Sequence, residues 1–354
     1  MRVRAWWGVV LVLLALACGG PSAAPGASAP AAAVAAPGAP APGEAAPAPE
    51  ATAAPAPLMT VRIAIPDLSI ATLPLGATVA KGFFRAEGLD VELTQIGGQA
   101  ALPALLNGEV GYLYGWGATS TGVVQGAPLR VLAILQDRPP HVVVARAEIH
   151  TPAELRGQRL ATSRPGGTDD QVLQRVLHAA GLQADDVQMV RLGETSLRAA
   201  ALIAGQVDAA ALAQPFTAAA EKEGFHVIAR GADVLQVPIS IVATSQAHQA
   251  AAPDEVRRLL RGVARALPYL TDPASVPEIV AWAAERYSIE PALAPAMVDE
   301  QLAAIVASGE VPESVLDAAL ESARAQTDRT TPIVLSEVFD FGPLRAARQE
   351  IAAR

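Results

Sequence analysis

Short apolar runs alternate with helical segments along most of this 354-residue sequence, and this alternation limits the fold more than any other feature. Residues 61–65, 110–114 and 129–135 are rich in the branched and aromatic side chains that favour strands, and several of the intervening helical segments end at glycines. This order predicts parallel sheets with helices on both faces. The strands fall into two groups, near 61–145 and near 159–228, which predicts an α/β fold with two lobes.

Beyond the last clear strand, residues 238–243, the pattern becomes helical. Pro253 followed by two acidic residues is typical of a helix start. The spacing of the apolar residues that follow predicts one buried face. These residues are Val256, Leu259, Leu260, Val263, Leu267 and Leu270.

The composition excludes several classes of function. A formal net charge of -9 argues against binding to a nucleic-acid backbone. The only cysteine, Cys18, excludes internal disulfides and cysteine-ligated metal centres, and no two of the five histidines have the i,i+4 spacing of a helical metal site. No nucleophile elbow or carboxylate dyad is evident. The sequence therefore predicts no catalytic residue, no metal and no cofactor.

The first 18 residues have the form of an export signal. Arg2 and Arg4 precede an apolar run at 6–17, which is shorter than the ~20 residues that a spanning helix needs. Cys18 follows directly, in a segment that resembles a bacterial lipobox. We interpret residues 1–18 as a lipoprotein signal peptide with Cys18 as the lipid acceptor. The alternative is an ordinary signal peptide with an incidental cysteine.

A low-complexity segment separates this signal from the strands. Residues 19–58 are mostly Ala, Pro, Gly and Ser, with few side chains that could bury apolar area. We interpret this segment as a disordered tether. The N-terminus therefore predicts a protein that is exported and held by lipid on the extracytoplasmic, periplasmic side of the membrane.

Five motifs, in order along the chain, carry a family resemblance. They include KGFFRAEGLDVEL, ALLNGEVG and LIAGQVDAA, with Gly111 at a position where the family commonly has Asp. Together they resemble the periplasmic substrate-binding proteins of ABC importers for nitrate, sulfonates, taurine and pyrimidine precursors of thiamine. The five stretches are residues 74–93, 104–111, 126–131, 155–161 and 202–210.

The resemblance implies the two-lobed type II periplasmic-binding-protein fold. Lobe one would comprise 59–147 plus 238–354, and lobe two 148–237. Chain crossings near Ala145 and Val237 would form the hinge, with a ligand cleft between the lobes. Open parallel sheets independently favour a ligand at the carboxyl ends of their strands.

The implied function is an extracytoplasmic receptor that delivers a small solute to an ABC permease. The contact with the permease would be transient, and the receptor would be a monomer. Two alternatives stay open: a periplasmic ligand sensor, and an enzyme related to thiamine-pyrimidine synthesis.

The candidate ligand-binding residues all lie at predicted strand ends or helix starts. Trp116 provides a flat wall that favours a ring over bare nitrate, although a core position is the alternative. The glycine-rich loop at 163–168 offers backbone N–H groups to an acidic group, and Arg164 is either its ion-pair partner or solvent-exposed. The solute is therefore expected to be anionic or heterocyclic. The full set is Asp67, Ser69, Thr72, Leu73, Gly97, Gly98, Trp116, Gly117, Ala118, Thr119, Arg164, Gly166, Gly167, Thr168, Gln214 and Pro215.

The lipid anchor can be tested directly. Replacing Cys18→Ala should release the protein from membranes, because the acyl chains on this cysteine are the only anchor that the sequence predicts. Fractionation of cells before and after a carbonate wash measures the effect. If the variant stays with the washed membranes, the prediction of a lipid anchor at Cys18 is wrong.

Overall fold

A computed structural model describes residues 57–163, 165, 167–324 and 332–353. The predicted signal peptide, Cys18 and nearly all of the predicted tether lie outside these residues, as do Arg164 and Gly166. No helix in the described part of the chain is both long enough and apolar enough to cross a membrane.

Within the described residues, ten strands form two five-stranded sheets, one in each lobe. The strands are β1 (Met59–Ile65), β2 (Leu89–Gln95), β3 (Tyr112–Tyr114), β4 (Leu129–Gln136), β5 (Val142–Ala145), β6 (Arg159–Thr162), β7 (Gln188–Arg191), β8 (Ala209–Leu212), β9 (His226–Arg230) and β10 (Ser240–Ser245). The first sheet has the order β2-β1-β3-β10-β4 and the second β7-β6-β8-β5-β9. This architecture confirms the predicted two-lobed α/β fold.

Helices fill the connections and the C-terminal third. They are α1 (Leu73–Ala80), α2 (Ala101–Leu106), α3 (Trp116–Gln125), α4 (Thr168–Ala179), α5 (Thr195–Ile203), α6 (Phe216–Lys222), α7 (Gly231–Val234), α8 (Gln246–Ala251), α9 (Pro253–Thr271), α10 (Val276–Arg286), α11 (Ala294–Ala303), α12 (Glu313–Arg324), α13 (Leu335–Val338) and α14 (Gly342–Ala352).

Each sheet contains one strand that runs against the others. Strand β10 is antiparallel to β3 and β4, and β5 is antiparallel to β8 and β9, whereas β1 pairs in parallel with β2 and β3. The sheets are thus mixed, because β5 and β10 each enter a sheet directly from the other lobe. The sequence pattern alone predicted parallel-type sheets.

The first crossing between lobes lies earlier than the sequence predicted. Residues 142–145 pair entirely within the second sheet, so the crossing is at 137–141 rather than near Ala145. The second crossing, 231–239, includes Val237, whose N–H donates to the Asp137 carbonyl at 2.9 Å. The two crossings therefore run side by side as a hydrogen-bonded connection between the lobes.

Helices cover both faces of each sheet. In lobe one, α9 and α14 pack on one face, and α2, α3 and α12 lie over the other. All six apolar residues predicted for the inner face of α9 are at most 2% exposed, which confirms that prediction. In lobe two, α4 covers one face while α5 and α6 cover the other.

Close packing between α9 and lobe one occurs at Gly262. A Cβ atom there would lie 2.5 Å from Cδ1 of Phe84, a core side chain that is 1% exposed. Glycine thus allows α9 to approach this ring without a clash.

Replacing Gly262→Ala should therefore lower the free energy of unfolding by about 1–3 kcal/mol through overpacking. The matched control is Gly117→Ala in α3, where nothing lies within 4 Å of the added Cβ. That substitution should leave stability unchanged or raise it by up to roughly 1 kcal/mol. Urea denaturation measures both, and equal effects would contradict the packing argument.

Candidate ligand-binding cleft

Ile239 of the second crossing lines two cavities, each of which is formed by residues of both lobes. The first, which we call the Trp116 cavity, has a volume of about 440 Å³. Trp116 and Gly117 line it from lobe one, and Gly167 and Thr168 line it from lobe two. The structure thus brings four of the sequence-predicted residues to one cavity.

The second cavity has a volume of about 510 Å³ and lies on the side of α6 and α11. We call it the Glu300 cavity. Gln214 is the one sequence-predicted residue among those that line it. Thr217 and Glu300 also line it and were missed by the sequence analysis. Neither belongs to a motif, so only their spatial position identifies them.

Trp116 is both a packing residue and a cavity wall. Gly115, with φ +103°, turns the chain from β3 into α3, and the Trp116 N–H donates to the Ile239 carbonyl at 3.0 Å. The indole is half-buried and stacks on Phe339, with ring centroids 6.0 Å apart. Trp116 therefore packs against the core and also lines the cavity, and its contact with a ligand stays a prediction.

Two other candidate residues on α3, Ala118 and Thr119, face away from the cavities. Thr119 is 0% exposed, and its hydroxyl donates to the Gly115 carbonyl at 3.1 Å, so it is not free for a ligand. Ala118 packs against the apolar core. Neither residue lines either cavity, since the helix turns them towards the sheet.

Ser163, which follows β6, is hydrogen-bonded to the first turn of α4. Gly167 is the N-cap residue of α4, which begins at Thr168. Asp169 accepts hydrogen bonds from the backbone N–H of Ser163 at 2.7 Å and from its hydroxyl at 2.6 Å. The Asp169 carboxylate therefore engages both the backbone and the side-chain donor of Ser163.

Arg198 of α5 lies behind the start of α4 and is only 2% exposed. It donates to the carbonyls of Leu192, Gly193 and Ala211, at 3.1, 2.7 and 2.9 Å. Its guanidinium also lies 3.5 Å from the Asp169 carboxylate. One side chain therefore joins the ends of β7 and β8 to the start of α4.

The two carboxylates in the first turn of α4 are each paired with an arginine. Burial acts to raise the pKa of Asp169, but hydrogen bonds from Ser163 and the charge of Arg198 together lower it below its usual value. Asp170, next along α4, pairs with Arg191. These arginines are thus engaged by carboxylates in the first turn of α4.

His141 lies beside the same network. Burial lowers its pKa to about 4, so the ring is neutral at pH 7. Its Nδ1 is buried and has no hydrogen-bond partner within the described residues.

The segment after β1 forms a capped turn. Asp67 is exposed and accepts from the Ser69 N–H at 3.0 Å. Thr72 is 1% exposed, and its hydroxyl donates to the Ser69 carbonyl at 2.8 Å. Leu73 is 0% exposed and packs in the core below α1. Asp67 and Ser69 are therefore at the surface, whereas Thr72 and Leu73 are structural.

Two glycines follow β2. A Cβ at Gly97 would lie 2.8 Å from the Pro66 carbonyl, so glycine is needed where the ends of β1 and β2 approach. Gly98 has φ +60°, and both residues are exposed. In lobe two, Gln214 accepts from the Ala218 N–H at 3.3 Å, and Pro215 is exposed at the start of α6.

The family is identified by its sequence model, described as NMT1/THI5 like, which matches residues 71–275. That range is more than half of the chain. The chain belongs to the NMT1/THI5-like family. The resemblance found in the sequence motifs is thereby confirmed.

A curated relative of this NMT1/THI5-like protein is the riboflavin-binding protein RibY of Chloroflexus aurantiacus. The two are 26% identical over 277 residues, which covers 73% of this chain and 72% of RibY.

Solved structures show the fold. The periplasmic aliphatic sulphonate binding protein SsuA of Escherichia coli has a TM-score of 0.61 and 21% identity, covering 75% of this chain and 86% of SsuA. The desulfurization enzyme DszB has a TM-score of 0.63 and 16% identity, covering 83% of this chain and 99% of DszB. The fold of this NMT1/THI5-like protein thus occurs in both binding proteins and an enzyme.

No group of three or more His, Cys, Asp or Glu residues in the described part of this NMT1/THI5-like protein could hold a metal ion.

Removing the Arg198 cation should destabilise the protein strongly. Arg198→Met leaves three carbonyls and the Asp169 carboxylate without their buried partner, so unfolding should become easier by about 3–5 kcal/mol. The matched control is Arg62→Met, because Arg62 pairs with Glu92 at the surface, where both side chains are more than half exposed. That change should cost about 0.2–1 kcal/mol. Chemical denaturation measures the free energy of unfolding of both variants. A similar decrease in the two would contradict the central role of Arg198.

Proposed function

We propose that this protein is an extracytoplasmic solute-binding receptor of an ABC import system. It captures a small solute in the cleft between its lobes and delivers it to a membrane permease. The observation that carries the proposal is the Trp116 cavity, because residues from the ends of strands in both lobes line one space. A cavity of about 440 Å³ is within the size range of small-molecule sites.

Family membership supports the same role. RibY binds riboflavin by its name, and SsuA is a periplasmic binding protein for aliphatic sulphonates. In our proposal the receptor is a monomer, is anchored by lipid at Cys18 and performs no chemical step. Its contact with the permease is transient.

We further propose that the solute is a planar heterocycle. Trp116 provides an aromatic surface, which favours stacking with a ring. Asp169 and Asp170 already occupy the first turn of α4, and Arg191 and Arg198 are paired with them. The described part of this wall therefore offers little net positive charge to an anion, so a neutral ring is favoured over nitrate or a sulfonate.

A binding panel tests this proposal. Riboflavin, 4-amino-5-hydroxymethyl-2-methylpyrimidine, taurine and nitrate are titrated into the protein by calorimetry. One of the two heterocycles should bind, and Trp116→Ala should weaken that binding by about tenfold or more through lost stacking and apolar contact.

The matched control is Trp282→Ala. Trp282 packs edge-on against Tyr287 and lines neither cavity, so its loss should leave affinity unchanged. Binding of nitrate or taurine in place of a heterocycle would reject the planar solute but keep the receptor. If no member of the panel binds, the receptor role itself is in error.

A further inference from the structure

Among the described residues, the Glu300 cavity differs from the Trp116 cavity because two of its lining residues have buried side-chain oxygens without hydrogen-bond partners. It lies between α6 of lobe two and α11, and the first crossing between the lobes closes it from a third side. Val142, Val227 and Ile239 give it apolar walls. Polar atoms without partners in such surroundings cost free energy, unless a ligand or water satisfies them.

Thr217 contributes the first such atom. The residue is only 4% exposed, and its hydroxyl oxygen has no hydrogen-bond partner among the described residues. It sits in the first turn of α6, three residues after Gln214. A threonine hydroxyl in a helix can bond to a preceding backbone carbonyl, as Thr119 does. Thr217 does not, so its hydroxyl stays available to a group in the cavity.

Glu300 contributes the second atom, from the opposite wall. Its Oε1 is buried and has no hydrogen-bond partner within the part of the chain that the structure describes. Burial raises the pKa of Glu300 to about 7, and the charge of Arg230 acts in the opposite direction. Near neutral pH the carboxyl group therefore exists in both forms, and it can accept or donate a hydrogen bond.

The other charged residues that line the cavity carry charges of both signs. Arg138 donates to the Ala232 carbonyl at 2.7 Å, and Arg230 is exposed at the rim. Three carboxylates lie at the same rim and are exposed. These carboxylates belong to Glu221, Asp233 and Asp299. Charges of both signs leave no strong preference for an anion or a cation, whereas a hydroxyl group pairs with either form of Glu300.

We propose that Thr217 and Glu300 form a second binding site of the cleft, which takes a neutral hydroxylated portion of the solute. Thr217 approaches from lobe two and Glu300 from lobe one, so both lobes hold the same hydroxylated group. The proposal rests on the proposed function, in which the cleft captures a solute. A solute with a planar ring and a polyol chain would place its ring against Trp116 and its chain here.

Two flavins that differ only in the chain test the proposal. Riboflavin carries a ribityl chain on its ring system, and lumiflavin carries a methyl group at the same nitrogen. Quenching of flavin fluorescence measures the affinity of each. Wild-type protein should bind riboflavin more tightly than lumiflavin.

Variants then assign the difference to the two residues. Thr217→Val and Glu300→Gln should each weaken riboflavin binding by about three- to tenfold, the effect of one hydrogen bond. Lumiflavin binding should not change. Thr217→Val removes a hydroxyl without a partner, so it should fold as well as the wild type, and melting temperature checks this. The control is Glu313→Gln, an exposed position outside both cavities, which should leave both affinities unchanged.

The outcomes separate this site from the receptor role. Equal binding of the two flavins, with no effect of either variant, would overturn the second site and leave the receptor standing. If neither flavin binds, ribitol becomes the probe. Protection of wild-type protein by ribitol against thermal unfolding, lost in both variants, would support the site. Absence of that protection would overturn it, whichever other solute the panel identifies.

Discussion

The buried cation of Arg198 is the interaction on which the lobe-two wall of the cleft depends. A guanidinium that is 2% exposed is tolerated only because its donors are used by carbonyls and a carboxylate. Those partners come from the ends of β7 and β8 and from the start of α4. Because Arg198 contacts all of these segments, it fixes the position of Gly167 and Thr168 at the Trp116 cavity.

The two lobes build their walls by different means. In lobe one, apolar packing positions Trp116 against Phe339, and the positive φ of Gly115 sets the direction of α3. In lobe two, the wall is positioned by directional hydrogen bonds that Arg198 donates and that Asp169 accepts. Polar networks hold loops rigidly when every member is satisfied. A hydrogen-bonded pair of crossings joins these two walls, so each wall can keep its shape if the lobes move.

The charges of the cleft decide which solutes fit the proposals. The sequence shows a glycine-rich loop before a helix, which by itself suggests an anion site. The structure adds that Asp169 and Asp170 occupy the first turn of that helix and that Arg198 and Arg191 pair with them. A neutral ring with a hydroxylated chain suits both the Trp116 cavity and the oxygens of Thr217 and Glu300 that have no hydrogen-bond partner in the described part of the chain.

The sequence by itself determined the features that depend on neighbouring residues along the chain. Strand and helix periodicity predicted the two α/β lobes, the apolar face of α9 and the position of Trp116 at a helix start. Each of these follows from local spacing. Local spacing did not predict the sheet to which residues 142–145 belong, because the strands of both lobes have the same apolar pattern.

Tertiary structure alone decided which polar groups are free. Thr119 and Thr72 are good candidates by residue type, but the fold engages both hydroxyls with nearby carbonyls. Thr217 and Glu300 lie in unremarkable helical sequence, yet the fold brings them to one cavity and leaves the Thr217 hydroxyl and Glu300 Oε1 without hydrogen-bond partners among the described residues. Whether a polar side chain has a hydrogen-bond partner depends on contacts between distant segments. Those contacts cannot be predicted from the spacing of residues along the chain.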